Sequence, residues 1–309
     1  MSLISIVVPS YNEQDALGSL YAEASRVATE MPHVDVEFVF VDDGSTDDTL
    51  AVVRRLRESD SRVRFVAFSR NFGKEAAIFA GLKHARGDYV VLMDADLQDP
   101  PSLIPRMYQA VVEEGFDCAA ARRTSRDGES RIRSFFAENF YRLFNMMSQT
   151  ELQSGARDYR LMTRQMVDAI LELSEVNRFS KGLLTWVGFK TKWIEYSNIE
   201  RVAGHTKWSF FGLVRYSIEG IVDFSTAPLA LASALGFALC LVAFVWVLVI
   251  VFRTVSYGNE VAGWASLACI VLFVSGLQFF TIGILGQYIA RTYLETKHRP
   301  VYIVRETES

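Results

Sequence analysis

Several absences narrow the class of this 309-residue chain before any motif is considered. It has only three cysteines, Cys118, Cys240 and Cys269, and their spacing matches neither a zinc site nor a disulfide framework. We therefore expect a reducing cytosolic environment. Basic residues are not in excess, because the net charge is −4, and this argues against nucleic acid as a partner. No basic leader precedes Asn12, so we expect no signal peptide.

The glycine-rich phosphate loops of many nucleotide-binding proteins are also missing. Neither GxGxxG nor GxxxxGK(S/T) occurs, which excludes the dinucleotide fingerprint and the Walker loop. A bound nucleotide would then be held without a glycine cradle. Its diphosphate charge would fall to a metal ion instead.

The first third of the chain contains apolar runs that alternate with helical segments. The predicted strands are residues 3–8, 36–41, 63–67 and 89–93. Such alternation predicts an α/β fold with a parallel sheet, whose ligands bind beyond the carboxyl ends of the strands. Ser10 and Glu13 have the spacing of a capping box, which predicts that the first helix starts there and runs to about Glu30.

The most informative stretch is the apolar run Val90–Met93, which is followed by Asp94, Asp96 and Gln98. An ionised carboxylate is costly inside a buried strand, so both aspartates should lie where the strand emerges from the sheet. Alternate residues of an extended chain point the same way. Carboxylate and amide oxygens suit Mg²⁺ or Mn²⁺ rather than zinc. The sequence therefore predicts a metal site made by Asp94, Asp96 and Gln98.

Three segments carry a family resemblance, namely Val7–Glu13, Val41–Asp47 and Asp94–Pro100. They resemble the family 2 glycosyltransferases, which have a GT-A, Rossmann-like nucleotide-sugar domain. Arg70–Glu75 and Asp158–Met162 resemble the polyprenyl-phosphate sugar transferases, among them the dolichyl-phosphate mannose synthases and, more closely, the bactoprenol glucosyltransferases. The Gln-x-x-Arg-Trp motif of processive relatives does not occur, which favours transfer of a single sugar.

The resemblance implies a donor site and two catalytic carboxylates, Asp96 and Asp158. The implied donor-binding residues are Pro9, Tyr11, Asn12, Glu13, Asp43, Lys74, Asp94 and Ala95. Three alternatives stay open from the residues themselves. Asp42 could contact the donor or cap the following turn, Lys74 could reach the donor or lie on a wet helix face, and Asp158 could be a simple ion-pair partner.

An arginine-rich stretch follows the predicted strand Cys118–Ala121, and arginine forks suit phosphate. The resemblance marks Arg122 and Arg131 as contacts of the acceptor phosphate, with Arg133 competing with Arg131 for that role. It also places Arg201 and Lys207 in a mobile basic loop that closes over the phosphates. We interpret Arg123 and Arg126 as solvated surface residues.

Two long uncharged runs, Leu229–Phe252 and Val261–Ala290, lie near the end of the chain. Each exceeds the roughly 20 residues that a membrane-spanning helix needs. They predict a two-helix transmembrane hairpin with spans at about 229–252 and 262–290. Positively charged residues flank the pair, which predicts that both termini are cytoplasmic and that the protein lies in the inner membrane. Gly276, Gly283 and Gly286 could pack helices between protomers of a homo-oligomer or only within the hairpin.

Two further segments, 132–148 and 208–226, have apolar residues at helical spacing. The first could pack on the core or lie in the membrane interface, and the second leads into the hairpin as an interfacial helix. The expected organisation is a cytoplasmic catalytic domain over 1–207, the interfacial helix 208–226, the transmembrane pair 227–291 and a cytoplasmic tail 292–309.

The expected activity is inverting, metal-dependent transfer of one sugar, with glucose from UDP-glucose as the donor and undecaprenyl phosphate as the membrane-bound acceptor. The same reaction with GDP-mannose, UDP-GlcNAc or a modified pentose is an alternative. A second alternative is a non-catalytic membrane module that binds a nucleotide sugar.

Overall fold

Helices and strands alternate along the first third of the chain, as the sequence predicts. The structure is a computed structural model and describes residues 2–123, 142, 144–148, 153, 155–173, 175–196, 221–257 and 263–308. The strands are β1 (Ser2–Ser10), β2 (Val34–Asp42), β3 (Val63–Phe68), β4 (Tyr89–Leu92), β5 (Cys118–Arg123), β6 (Ala156–Thr163), β7 (Thr191–Tyr196) and β8 (Val304–Thr307). The main α-helices are α1 (Leu17–Thr29), α2 (Thr49–Ser59), α3 (Lys74–His84), α4 (Ile104–Val112), α5 (Arg164–Glu172), α6 (Ser180–Trp186), α7 (Ala227–Tyr257) and α8 (Trp264–Thr296).

The strands form one mixed sheet in the order β7-β5-β6-β4-β1-β2-β3-β8. Strands β1 to β4 are mutually parallel where they pair, which confirms the predicted parallel sheet. Strand β6 runs antiparallel to β4 and β5, and β8 runs antiparallel to β3. The parallel part brings the carboxyl ends of β1, β2 and β4 to one edge of the sheet.

Both faces of the central strands are buried, which explains their almost uninterrupted apolar sequences. Ile4 and Ile6 of β1 pack in one cluster with Leu17 of α1. Val7 faces the other side, in a cluster with Ile78 of α3. This alternation follows from the two-residue period of a strand, and it fixes which helices cover each face.

The predicted capping box at Ser10 and Glu13 is wrong. Ser10 still belongs to β1 and pairs with Asp42, and α1 begins only at Leu17. The chain turns at Asn12, which has a φ of 54°, because the loop is held by hydrogen bonds to the β2–α2 connection instead of entering a helix. The loop therefore stays at the edge of the sheet.

Helices α7 and α8 are long and apolar enough, by length and composition, to cross a membrane. The candidate spans are Ala227–Ile250 and Phe273–Thr296. The first is close to the predicted 229–252, whereas the second overlaps the predicted 262–290 but begins and ends later. Large apolar side chains such as Phe244 and Phe279 are 62% and 74% exposed. This exposure does not fit a helical hairpin buried in a soluble core, and it suggests membrane association.

The chain after α8 returns to the sheet, where the sequence predicted only a tail. Strand β8 pairs with β3, with Thr307 opposite Val66. The Tyr302 ring stacks on Phe68 with the ring centroids 4.8 Å apart. Glu308 lies 2.9 Å from the Arg57 guanidinium. The chain that follows the second helix of the apolar hairpin is thus joined to the α/β domain.

The two predicted amphipathic segments are described only in part. Phe144 is fully buried, with ring centroids 6.1 Å from Phe179 and 6.1 Å from Phe224. Met146, two residues later, is exposed. Phe144 therefore packs on the domain, whereas most of 132–148 and residues 208–220 lie outside the described residues.

Candidate active site

The predicted donor residues of the first two strands meet at the carboxyl edge of the sheet. Pro9 pairs with Val41 inside the sheet, and Asn12 and Glu13 follow in the loop. The Asn12 backbone N–H donates to Ser45 Oγ at 3.0 Å, and the Asn12 side-chain oxygen accepts from Thr46 N at 2.9 Å. The Asn12 side chain therefore braces the β2–α2 loop. Tyr11 and Glu13 are half-buried at the same edge.

Asp42 and Asp43 have different roles although they are neighbours. Asp42 accepts a hydrogen bond from Ser45 N at 3.2 Å, which is the capping role that the sequence left open for it. Asp43 accepts from Phe72 N at 2.6 Å and from Gly73 N at 3.0 Å. Burial raises the pKa of Asp43 to about 6, although these two backbone donors act to lower it.

Close approach of two loops explains the glycine that follows Asp43. Gly44 has a φ of 66°, in the region that favours glycine. A Cβ built on Gly44 would lie 2.3 Å from the carbonyl carbon of Arg70. A larger residue would push the Arg70–Gly73 loop away, and with it the donors that hold Asp43.

Asp94, Ala95, Asp96 and Gln98 follow β4 at the same edge, as predicted. Asp94 and Asp96 are half-buried, and Ala95 is buried between them. Leu97 has a φ of 57°, and Gln98 N donates to Asp96 Oδ1 at 3.1 Å. This tight turn directs the chain toward the arginines of β5 and β6.

The Gln98 amide oxygen contacts arginines in this structure. It accepts from Arg157 Nη2 at 2.8 Å and from Arg123 Nη2 at 3.2 Å. Within the described ranges, no group of three or more His, Cys, Asp or Glu side chains is gathered for a metal. Asp94 and Asp96 alone still match the usual Mg²⁺ arrangement of one or two carboxylates completed by substrate phosphates.

Lys74 joins Asp94, from the predicted metal site, to Asp158, one of the two predicted catalytic carboxylates. Its ammonium lies 2.7 Å from Asp94 Oδ1 and 2.7 Å from Asp158 Oδ2. Asp158 comes from β6, which pairs antiparallel with β4 through Leu92 and Arg160. The Lys74 side chain is 42% exposed, so it remains open to a ligand. Lys74 therefore lies at the site, rather than on a helix face remote from it.

The charges of this trio are mutually stabilised. Burial alone would lower the pKa of Lys74, but Asp158 and Asp94 outweigh it and the pKa is raised. Burial likewise opposes ionisation of Asp158, but the positive charges of Lys74 and then Lys181 hold its pKa below the ordinary value. An aspartate with a lowered pKa is a weak base, so the geometry suits orientation better than deprotonation.

Four residues that were not predicted to belong to the site lie beside it. They are Arg123, Arg157, Asp99 and Tyr196, and the interpretation of Arg123 as a purely solvated residue is wrong. The Tyr196 hydroxyl donates to Asp99 Oδ1 at 2.7 Å, and burial raises the pKa of Asp99 to about 6. The only local signal was Asp99 itself, the last carboxylate of the stretch that begins at Asp94.

The predicted phosphate-binding residues are described only in part. Arg122 is half-buried near the end of β5. Arg131, Arg133, Arg201 and Lys207 lie outside the described residues, so their predicted roles stay predictions.

A model of the glycosyl transferase family 2 matches residues 5–171. The chain belongs to this family. The matched range contains the whole carboxyl edge described above, from Pro9 to Asp158. The mixed sheet of this glycosyltransferase is the GT-A, Rossmann-like arrangement that the sequence predicted, and the two apolar C-terminal helices follow it.

Curated relatives extend the similarity to nearly the whole chain. The prophage bactoprenol glucosyl transferase homolog of Escherichia coli (strain K12) is 42% identical over 99% of this chain and 99% of its own length. The bactoprenol glucosyl transferase of Shigella phage SfV is 41% identical over 98% of each chain. The glucosyl-3-phosphoglycerate synthase of Mycobacterium tuberculosis, solved with Mn²⁺ and UDP-glucose, is 21% identical, with a TM-score of 0.47 over 72% of this chain and 77% of that one.

Proposed function

We propose that this glycosyltransferase moves one glucose from UDP-glucose to undecaprenyl phosphate, with inversion at the anomeric carbon. The main support is that similarity to the bactoprenol glucosyl transferases runs through the apolar helices as well as the α/β domain. An acceptor with a long apolar chain stays in the bilayer, and two membrane-spanning helices would keep the enzyme where this acceptor is found.

The donor would bind along the edge formed by Pro9, Tyr11, Glu13 and Asp43. Asp94 and Asp96 would hold Mg²⁺ or Mn²⁺, which supplies Lewis-acid stabilisation of the departing diphosphate. The chemistry of this pair fits such a cation, because both are half-buried carboxylates directly after a buried strand. Gln98 would join them only by releasing Arg123 and Arg157.

The acceptor needs little activation. A phosphate monoester has a second pKa near ~6, so it is largely a dianion at neutral pH. One of its oxygens forms the new bond to the anomeric carbon while the bond from that carbon to the UDP oxygen breaks on the opposite face. Asp158 and Lys74 would orient the reactants, which is a proximity effect. Arg122, with Arg131 or Arg133 and with Arg201 and Lys207, would hold the acceptor phosphate.

The membrane arrangement belongs to the same proposal. The two candidate spans would form the transmembrane hairpin of an inner-membrane protein, with the catalytic domain and both termini in the cytoplasm. The soluble nucleotide sugar and the lipid phosphate would then meet at the membrane surface.

The test is transfer of labelled sugar into the lipid phase by the purified full-length protein. Undecaprenyl phosphate, Mg²⁺ or Mn²⁺, and one labelled donor are supplied in separate reactions with UDP-glucose, GDP-mannose, UDP-GlcNAc or a UDP-pentose. Label from UDP-glucose alone supports the proposal, and the anomeric configuration of the product, read by NMR, tests inversion. Label from another donor alone would correct the sugar. No label from any donor, with folded protein and dispersed lipid, would favour the non-catalytic binding module.

A further inference from the structure

The end of helix α8 that is nearer the catalytic domain is tied to the segment Glu175–Ser180. The Glu295 carboxylate accepts from Val176 N at 3.0 Å and from Asn177 N at 3.2 Å. The Asn177 side-chain amide donates to Asp223 at 3.2 Å, and Asp223 also forms an ion pair with Arg291 of α8. A charged acceptor makes such hydrogen bonds stronger than neutral ones.

The other end of this segment is held at the active site. Glu75, in the first turn of α3, accepts hydrogen bonds from both the backbone N–H and the hydroxyl of Ser180, with the N–H at 2.9 Å. Burial, and then the nearby charge of Asp158, raises the pKa of Glu75. A half-buried carboxyl is stabilised by such donors, so Ser180 and Glu75 constrain each other.

The middle of the segment is fixed as well. The Arg178 guanidinium donates to the carbonyl oxygens of Leu173 and Ile170, and it lies 4.4 Å from the ring centroid of Phe79 on α3. Phe179 packs against Phe224, with the ring centroids 5.8 Å apart. Each residue from Val176 to Ser180 therefore contacts α3, α5, α8 or the residues that lead into α7.

We propose that Glu75 and Glu295 are positioning residues at the two ends of this segment. Through it, helix α8 holds Lys74 between Asp94 and Asp158. The inference rests on the proposed function for its kinetic test, but its structural content is independent of which sugar is moved. Neither glutamate is one of the three residues Lys74, Asp94 and Asp158 that form this bridge. Glu75 acts through its neighbour Lys74 at the start of α3.

A double-variant cycle tests whether the two glutamates act through one connection. Glu75→Gln and Glu295→Ala should each lower kcat by about tenfold, with the donor KM changed by less than about twofold. The double variant should be about as slow as the slower single variant, because residues in one hydrogen-bond network are not additive. A double variant whose loss is the product of the single losses would overturn the proposal.

A second measurement does not depend on transfer. Competitive labelling of lysines with an amine reagent, read by mass spectrometry, reports how well Lys74 is held by its two carboxylates. Lys74 should be modified about threefold faster or more in both variants, because a side chain that is no longer held between two carboxylates is more accessible to the reagent. Unchanged labelling of Lys74 in both single variants would overturn the proposal.

Glu306→Gln is the matched control, since Glu306 lies in β8, after α8, and pairs with Arg54 of α2. It should change neither kcat nor Lys74 labelling. If Glu75→Gln does not fold, Ser180→Ala removes one of the same two hydrogen bonds and replaces it in the cycle. A wild-type protein that transfers no sugar would count against the proposed function alone, since the labelling result would still stand.

Discussion

Single residues set the charge of the candidate site. Lys74 forms ion pairs with both Asp94 and Asp158 at the edge of the sheet. Asp96 follows Asp94 by two residues and is half-buried at the same edge. Substitution of Asp96 therefore tests the proposed cation.

Asp96→Asn should lower transfer by at least about 100-fold, because a metal ion contributes several kcal/mol to a transition state and each 1.36 kcal/mol is tenfold in rate. The same variant should bind Mn²⁺ more weakly, as measured by electron paramagnetic resonance in the presence of UDP. Asp168→Asn is the control, because Asp168 on α5 is 60% exposed. Near-normal turnover of Asp96→Asn would contradict the metal assignment.

Asp43 gives a second prediction at this scale. Its pKa is raised from 3.8 to about 6 in the folded protein, so the folded state takes up a proton more readily than the unfolded chain. The stabilising contribution of protonated Asp43 is complete below about pH 4 and is lost as the pH rises through about 6. The melting temperature of the wild type should thus fall, relative to that of Asp43→Asn, between about pH 4 and pH 6.

Thermal unfolding followed by intrinsic fluorescence measures this difference. Asp48→Asn serves as the control for loss of a nearby aspartate, because Asp48 is exposed immediately before α2. Parallel pH curves for the wild type and Asp43→Asn would show that Asp43 does not titrate in this range.

The sequence predicted those site residues that a local pattern of neighbouring residues reveals. Asp94 and Asp96 could be placed because carboxylates end an apolar run, and a buried strand cannot contain them. Arg123 and Arg157 could not be assigned to the site from the sequence, because they contact Gln98 from two other strands, β5 and β6. Which strands neighbour each other is decided by long-range pairing that no short window records.

Strand β8 is short, but it joins the chain after α8 to the central sheet. Four residues extend the sheet beside β3, and the preceding Tyr302 covers Phe68 and Phe79. The sequence did not predict this strand, because it is short and contains Arg305 and Glu306. Its stability comes from partners more than 200 positions earlier in the chain, so no local periodicity reveals it.

Tyr302→Ala should destabilise the α/β domain by about 1–3 kcal/mol, since it removes a half-buried ring and its stacking with Phe68. The measurement is the loss of melting temperature in detergent. Ile303→Ala is the control within the same segment, because its side chain is 52% exposed. Equal effects of the two substitutions would mean that Tyr302 adds nothing specific.

For the whole molecule, the tail fixes a topological relation. Because β8 follows α8 and pairs with β3, the tail and the catalytic domain must lie on the same side of any membrane that the hairpin crosses. Tyr257, the last residue of α7, would then lie on the opposite side. The general outline of α/β domain and hairpin was predictable from hydropathy alone, but this closure onto the sheet was not.

Single cysteines on a background without Cys118, Cys240 and Cys269 test that relation. Ser256→Cys should react with a membrane-impermeant maleimide in intact spheroplasts, because Ser256 lies at the far end of α7. Arg299→Cys in the tail and Lys83→Cys on α3 should react only after lysis. Different labelling of the last two positions would contradict the same-side arrangement.

The glycines of α8 face open space among the described atoms. Apart from chain neighbours and the backbone of α8 itself, no described atom lies within 4 Å of a Cβ built on Gly276, Gly283 or Gly286. The predicted packing of these glycines, within the hairpin or in a homo-oligomer, stays a prediction.

The attachment of the tail also bears on how the enzyme would meet its acceptor. If the hairpin crosses a bilayer, as proposed, a catalytic domain joined to both ends of the hairpin stays close to the membrane surface. For a lipid acceptor, the search is then two-dimensional, and the quantity that sets the rate is the number of acceptor molecules per unit of membrane area. Diluting that lipid with inert phospholipid would slow the reaction, while diluting the whole vesicle suspension at saturating donor would leave the rate per enzyme unchanged.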